Sequence, residues 1–383
     1  MNVPSEFDRI RPFEPEELPE AYKRLIADSQ FRTVVAFIFP KIPFEKIVER
    51  MWLCKNSYEF QLAFCYDFLK NVLNASSAGC DIDIKNIDVG KRYTFVSNHR
   101  DIVLDSAFLD KMLIDSKFNT TCEIAIGDNL LVAPWIKDLV RVNKSFIVER
   151  SAGIREMLTN SKLLSEYMHF VIQHKNDNIW IAQREGRAKD SNDRTQSSII
   201  KMMAMGGEGS IIDRLMQLHI VPLSISYEFD PCDFLKAKEF QLKRDIEGWK
   251  KTKEDDLESM QTGILNYKGR IHYHCAPCIN KYLSTLNPDM QKSALIESIA
   301  NHIDKKIHLG YRLYPNNYVA IDLLNNDSEY ANHYTDKDKV AFEKYITGQL
   351  AKIDLPNKDG QFLHEKILWM YAYPAINQMA AKQ

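Results

Sequence analysis

A histidine precedes an aspartate by six positions in Ser97-Asn98-His99-Arg100-Asp101-Ile102-Val103-Leu104-Asp105, where a strand pattern (Tyr93, Phe95) gives way to an apolar helix pattern. An imidazole is neutral near pH 7 and can take a proton from an alcohol. A carboxylate on its other ring nitrogen would fix the tautomer and stabilise the imidazolium that forms. Asp105 and Asp101 compete for that place. The same residues also have a purely structural reading. In it, Asp101 or Ser97 caps the following helix and His99 is an ordinary turn residue.

Three further segments carry groups of the right type for a charged ligand. Trp180-Ile181-Ala182-Gln183-Arg184-Glu185-Gly186-Arg187-Ala188-Lys189 runs from an apolar strand into a glycine flanked by cations. Glycine permits φ > 0 or a close backbone approach, and arginine suits bidentate recognition of phosphate. Ser145-Phe146-Ile147-Val148-Glu149-Arg150 is a short strand that ends in a cation. His219-Ile220-Val221-Pro222-Leu223-Ser224-Ile225-Ser226-Tyr227-Glu228 is a buried-strand pattern in which Pro222 predicts an edge, a bulge or a bend. Each has a bland alternative as a solvated loop or a structural strand. His272, His274, Cys275 and Cys278 are zinc-ligand types. The two histidines alternate along a strand pattern, however, and no second Cys/His cluster completes a structural site, so no metal is expected.

The elements that must position these groups alternate. Strands are predicted over 93–97, 122–126, 145–148, 179–183 and 220–226, with a further one over 269–274, and the clearest intervening helix over 154–174. This order predicts an α/β fold, a mostly parallel sheet flanked by helices, whose ligands bind beyond the carboxyl ends of the strands. Residues 15–78 read as helices, with Phe60, Phe64, Phe68 and Val72 forming an apolar stripe. Helices return over 290–307, 339–353 and 364–375, with a frayed tail from Met379. The expected organisation is a helical N-terminal region over 1–88, an αβ domain over 89–283 and a helical C-terminal region over 284–383.

The chain has 383 residues, 45% hydrophobic and 27% charged, which predicts a folded protein. A formal net charge of −2 gives no bulk attraction to nucleic acid, so no nucleic-acid partner is expected. Seven irregularly spaced cysteines argue for a reducing compartment. Met1-Asn2-Val3-Pro4-Ser5-Glu6 lacks the basic start and apolar core of a signal peptide. No window supplies the roughly 18 apolar residues of a membrane span. The apolar residues around 33–44 and 60–69 suit an interfacial surface, although core packing is their commoner use.

Taken in order, the four blocks resemble those of the glycerophospholipid acyltransferase family, which includes glycerol-3-phosphate, dihydroxyacetone-phosphate and 1-acylglycerol-3-phosphate acyltransferases. That family has His-x4-Asp, a strand ending in arginine, Glu-Gly-(Thr/Gly)-Arg and a strand with a proline. They correspond here to His99 to Asp105, Ser145 to Arg150, Glu185-Gly186-Arg187 and Val221 to Glu228. This sequence departs twice. Five residues separate His99 from Asp105, and Glu185-Gly186-Arg187 lacks the intervening small residue. The resemblance implies an O-acyltransferase of phospholipid biosynthesis. A fatty acyl group would pass from an acyl thioester, acyl-CoA or acyl-ACP, to a hydroxyl of a glycerol-phosphate or lysophospholipid. It assigns His99 and Asp105 to catalysis. Arg150, Glu185, Gly186, Arg187 and Lys189 are assigned to substrate binding. No cofactor is expected beyond the co-substrate. The expected partners are the acyl donor, possibly as acyl carrier protein, the acceptor, and a membrane surface, with the protein cytoplasmic and peripheral to the inner membrane face. The alternatives are a catalytically impaired lipid-binding protein on the same fold and a thioester hydrolase.

Overall fold

Thr94–Ser97 is buried at all four positions, and that strand, β2, lies in the interior of a sheet. The computed structural model describes residues 3–150 and 153–383. Met1 and Asn2, the first residues of the segment read as lacking a signal peptide, lie outside them. Among the described residues the other strands are β1 (Cys80–Asp83), β3 (Cys122–Gly127), β4 (Ser145–Val148), β5 (Asn178–Ala182), β6 (Ile220–Tyr227) and β7 (Ile271–Cys275). They form one sheet of order β1-β7-β6-β2-β5-β3-β4. All neighbouring pairs are parallel except β6 and β7. The fold is the expected mostly parallel sheet with helices on its faces.

Two apolar layers cover the sheet. Alternation along β2 sends Phe95 to one and Val96 to the other. The connection leaving β2 enters the helix Leu104–Asp115, whose Leu104, Phe108 and Leu109 join the first layer. The connection leaving β5 enters the helices Ser197–Met203 and Ile211–Gln217, whose Ile200, Met203 and Leu215 join the second. Two adjacent parallel strands therefore send their chains to opposite faces. The crevice that opens beyond their carboxyl ends is where α/β sheets of this kind bind ligands.

Three expectations need correction. The N-terminal region expected over 1–88 contains β1, which adds to the sheet edge. Its sequence, Cys-Asp-Ile-Asp, carries little strand signal of its own. It is held because Cys80 and Ile82 pack on the first layer while Asp81 and Asp83 meet His272 and His274 of β7. Pro222 does not mark an edge, since β6 lies between β2 and β7. It is tolerated there because its carbonyl accepts from Ala276, one residue past the end of β7. The missing N–H thus falls where the ladder has already ended. The tail from Met379 is not frayed. The helix Gly360–Lys382 continues through it, and Gln378 donates to the Tyr311 carbonyl at 2.6 Å.

The apolar stripe of residues 60–72 is core, with Phe60, Phe64 and Leu69 buried. Nearby, Phe37 and Leu53 stand 68% and 73% exposed. No helix among the described residues is long and apolar enough to cross a membrane.

Candidate active site

The turn leaving β2 is fixed from both sides. The Asn98 side chain donates to the Ile225 carbonyl at 2.9 Å and accepts from the Ile225 N–H at 2.8 Å. It thereby continues the β2–β6 ladder with a side chain. On the other side, the Trp180 indole N–H donates to Ser97 Oγ at 3.0 Å, and the Trp180 ring meets the His99 ring edge-on at 5.7 Å.

His99 and Asp105 are in contact. His99 Nδ1 lies 2.8 Å from Asp105 Oδ2. A carboxylate oxygen only accepts, so Nδ1 carries the hydrogen and Nε2 keeps its lone pair. The same Oδ2 accepts from the backbone N–H groups of Arg100 at 2.6 Å and Asp101 at 3.0 Å. The carboxylate is wholly buried while the imidazole keeps 13% of its side chain exposed. From β7, Tyr273 donates to the Asp105 carbonyl at 2.8 Å.

Asp101 is not the partner of His99. Its Oδ1 accepts from the N–H groups of Val103 and Leu104 at 2.9 and 2.8 Å, so it caps the helix. Burial, and after it the nearby Asp105, push the Asp101 carboxyl above the usual range.

Arg100 points the other way, into a buried network absent from the expected site. Its guanidinium forks onto Asp193 at 3.2 and 2.6 Å. Asp193 also accepts from the Tyr311 hydroxyl and, at its carbonyl, from His308 Nε2 at 2.9 Å. Lys236, itself paired with Asp230, donates to the Arg100 carbonyl at 3.2 Å. The C-terminal helices thus reach the histidine turn through residues 308 and 311. Nothing periodic marks Asp193 or Tyr311 in the sequence. The one signal for this network is Arg100 itself, a cation inside the histidine motif.

The expected ligand-binding residues fall into two groups. Arg150 follows β4, its N–H donating to Asp128 at 3.1 Å and its guanidinium pairing with Glu185 at 2.9 Å. Both members of that pair are largely exposed. Ser151 and Ala152 lie outside the described residues. Gly186 adopts φ +67° with open space where a Cβ would stand, so backbone conformation is the reason for glycine there. Beyond it Arg187 turns inward and is only 6% exposed. Its Nη1 is buried without a hydrogen-bond partner. Lys189 pairs with Glu239 at 2.6 Å. Burial, followed by the charge of Arg187, lowers its pKa to about 8. Arg187 and Lys189 share a cleft that Arg150 does not line. The zinc-type residues form no metal-binding group among the described residues.

Residues 81–226 match the family model described as Acyltransferase. The match covers less than half of the chain, so it marks this segment as similar to an acyltransferase domain. The matched acyltransferase domain contains His99, Asp105, Arg150, Glu185, Gly186, Arg187 and Lys189, and it ends before Lys236. A solved structure, the 1-acyl-sn-glycerophosphate (LPA) acyltransferase PlsC from Thermotoga maritima, is similar at 10% identity and a TM-score of 0.37, covering 76% of this chain and 97% of that one. A likeness so loose carries no argument about substrate or mechanism. No curated protein matches the chain.

Proposed function

We propose that the protein moves a fatty acyl group from an acyl thioester to a hydroxyl of a glycerol-phosphate or lysophospholipid, with His99 as general base. One observation carries the reading. Asp105 holds Nδ1–H of a partly exposed imidazole at 2.8 Å, in the turn that leaves the carboxyl end of β2. Nε2 takes the proton of the acceptor hydroxyl as its oxygen attacks the thioester carbonyl carbon. The C–S bond of the resulting tetrahedral species breaks, and the leaving thiolate takes the proton back from the imidazolium. A thioester is already activated, so positioning and base catalysis suffice. Arg187 and Lys189 would hold an anionic group of the substrate. The Gly186 turn aims Arg187 inward, and Arg150 with Glu185 forms the outer rim. The donor is acyl-CoA or acyl-ACP.

The test is acyl transfer by purified His99→Ala and Asp105→Asn proteins, with products identified by mass spectrometry after incubation with mixed acceptors and both donor types. A folded His99→Ala protein with near wild-type rates would end the proposal. Free fatty acid without acylated product would identify a hydrolase instead. The exposed Phe37 and Leu53 support peripheral attachment to a lipid surface at the cytoplasmic face. Sedimentation with liposomes at low salt, reduced in Phe37→Ser/Leu53→Ser, is the expected outcome, and a wild-type protein left in the supernatant would refute attachment.

A further inference from the structure

The Asp105 carboxylate is oriented from one oxygen. His99 Nδ1 and the N–H groups of Arg100 and Asp101 lie 2.8, 2.6 and 3.0 Å from Oδ2. Oδ1 is buried without a hydrogen-bond partner among the described residues. The angle at which Asp105 meets the imidazole therefore depends on where those two peptide N–H groups point.

One of those peptides is gripped from its far side. Arg100 and Asp101 share a trans peptide unit, and its carbonyl accepts from Lys236 Nζ at 3.2 Å. The unit is planar, so a hold on its oxygen fixes the direction of its N–H. An ammonium at the oxygen also polarises the amide and strengthens the hydrogen bond on the other side. Lys236 belongs to the helix Asp233–Asp245, outside the matched domain, and is only 1% exposed. It is paired with Asp230. Buried ion pairs are costly to desolvate, and apolar residues in their place often serve stability as well or better. Stability alone therefore does not account for this lysine.

The helix that carries it is tied to the C-terminal helices. Asp233 accepts from Tyr345, Gln349 and Tyr371 at 2.8, 2.7 and 2.8 Å. The Tyr371 hydroxyl accepts from the Asp230 N–H at 3.1 Å. The Arg100 guanidinium is anchored to the same region by a second route, through Asp193 to Tyr311.

We propose that Lys236 is a positioning residue for the His99–Asp105 pair, and that the C-terminal helices set the geometry of the pair through it and through Tyr311. The kinetic consequence rests on His99 being the general base. Lys236 acts on that base through the Arg100–Asp101 peptide, not through the substrate.

Two variants of the full chain test this. Lys236→Met/Asp230→Asn removes both buried charges together, so that neither is left unpaired and the Arg100 carbonyl loses its donor. Tyr311→Phe removes one hydroxyl from Asp193. Both are prepared with isotope-labelled histidine for nitrogen NMR, and the His99 signal is identified by its absence from His99→Ala. In the wild type the ring should be held as the Nδ1–H tautomer at neutral pH. In the double variant it should become a mixture of tautomers, with kcat lowered by about tenfold or more at unchanged KM. Tyr311→Phe should show the same changes in smaller measure, about twofold to tenfold in kcat. An unaltered His99 signal in the folded double variant, or in Tyr311→Phe should the double variant not fold, overturns the proposal. So does a raised KM with kcat unchanged. A wild type that transfers no acyl group refutes the catalytic reading, and the His99 signal then still decides the positioning.

Discussion

His99–Asp105 and His272–Asp81 have the same separation between ring nitrogen and carboxylate, 2.8 Å, and His274–Asp83 is close behind at 3.1 Å. The pairs differ in what surrounds the carboxylate. Asp105 is wholly buried, and two backbone N–H groups bind the same oxygen that holds His99. Asp81 is 55% exposed and shared with Arg312 at 2.8 Å. Asp83 binds Lys85 as well. Position differs too. Tyr273 faces the Leu104–Asp115 helix, so strand alternation sets His272 and His274 on the opposite face of the sheet. A histidine beside an aspartate is therefore not in itself a catalytic pair. On the proposed reading, what sets His99 apart is an orienting acid that is fixed and desolvated.

The largest effect that this comparison predicts is on turnover. His99→Ala should lower acyl transfer by about 10²–10⁴-fold, the usual contribution of a general base. Asp105→Asn should cost a comparable factor, since an amide can hold the wrong tautomer. His272→Ala should leave the rate within about twofold, as expected of a substitution away from the reacting atoms. Parallel kinetics on the three variants decide the matter, and an equal loss in His272→Ala would dissolve the distinction.

Next in size is the support beneath each pair. Asp193→Asn leaves the Arg100 guanidinium buried beside a neutral group. Removing one member of a buried pair typically costs about 3–5 kcal/mol. Asp81→Asn, which breaks the exposed pair with Arg312, should cost under about 1 kcal/mol. Urea denaturation of both variants measures this. If Arg100 positions the histidine turn, Asp193→Asn should also lower kcat at unchanged KM, which a loss of stability alone does not do.

Much of this is legible from the chain alone, for physical reasons. Strands buried on both faces read as apolar runs, so β2 to β7 can be located to within a residue or two. The histidine turn is visible because its residues are contiguous. What stays hidden depends on long-range pairing. β1 contains two aspartates that make sense only beside the histidines of β7. The choice between Asp101 and Asp105 turns on which carboxylate meets the ring and which meets the helix N–H groups, and residue spacing does not encode that. Lys236 lies in a segment whose sequence reads as ordinary solvated surface, and only packing brings it to the histidine turn. The grouping of Arg150 with Arg187 fails in the opposite way. The two follow neighbouring motifs in sequence, but Arg187, after the left-handed Gly186, is buried, whereas Arg150 is largely exposed.

A third test separates the tightly packed histidine turn from looser parts of the molecule. A Cβ at Gly263 would stand 2.0 Å from Asp101 Oδ2, where a Cβ at Gly348 would meet nothing. Gly263→Ala should destabilise by about 1–3 kcal/mol through overpacking against a carboxylate already engaged as a cap. Gly348→Ala lies in the helix Asp336–Ala351 and should stabilise by about 0.5–1 kcal/mol. Opposite shifts in thermal midpoint are expected. Two shifts of the same sign would mean that the Asp101 side chain can swing away from the approaching helix.

The smallest effect concerns acid. Burial, opposed by the hydrogen bond to Asp81, lowers the pKa of His272 below its ordinary value. The unfolded chain then binds more protons at His272 than the folded one once the pH drops below about 6.5. Stability contributed by the neutral ring is present above that value and is lost as pH falls toward the folded pKa. Replacing the ring with an uncharged side chain in His272→Gln should flatten this dependence. The comparison is the change in urea midpoint between pH 7 and pH 5.5 in the two proteins, a range chosen to bracket the unfolded histidine pKa of about 6.5. The wild type should lose more stability than the variant. Equal losses would mean that the edge pair tolerates its proton and that the acid sensitivity of the fold resides in another group.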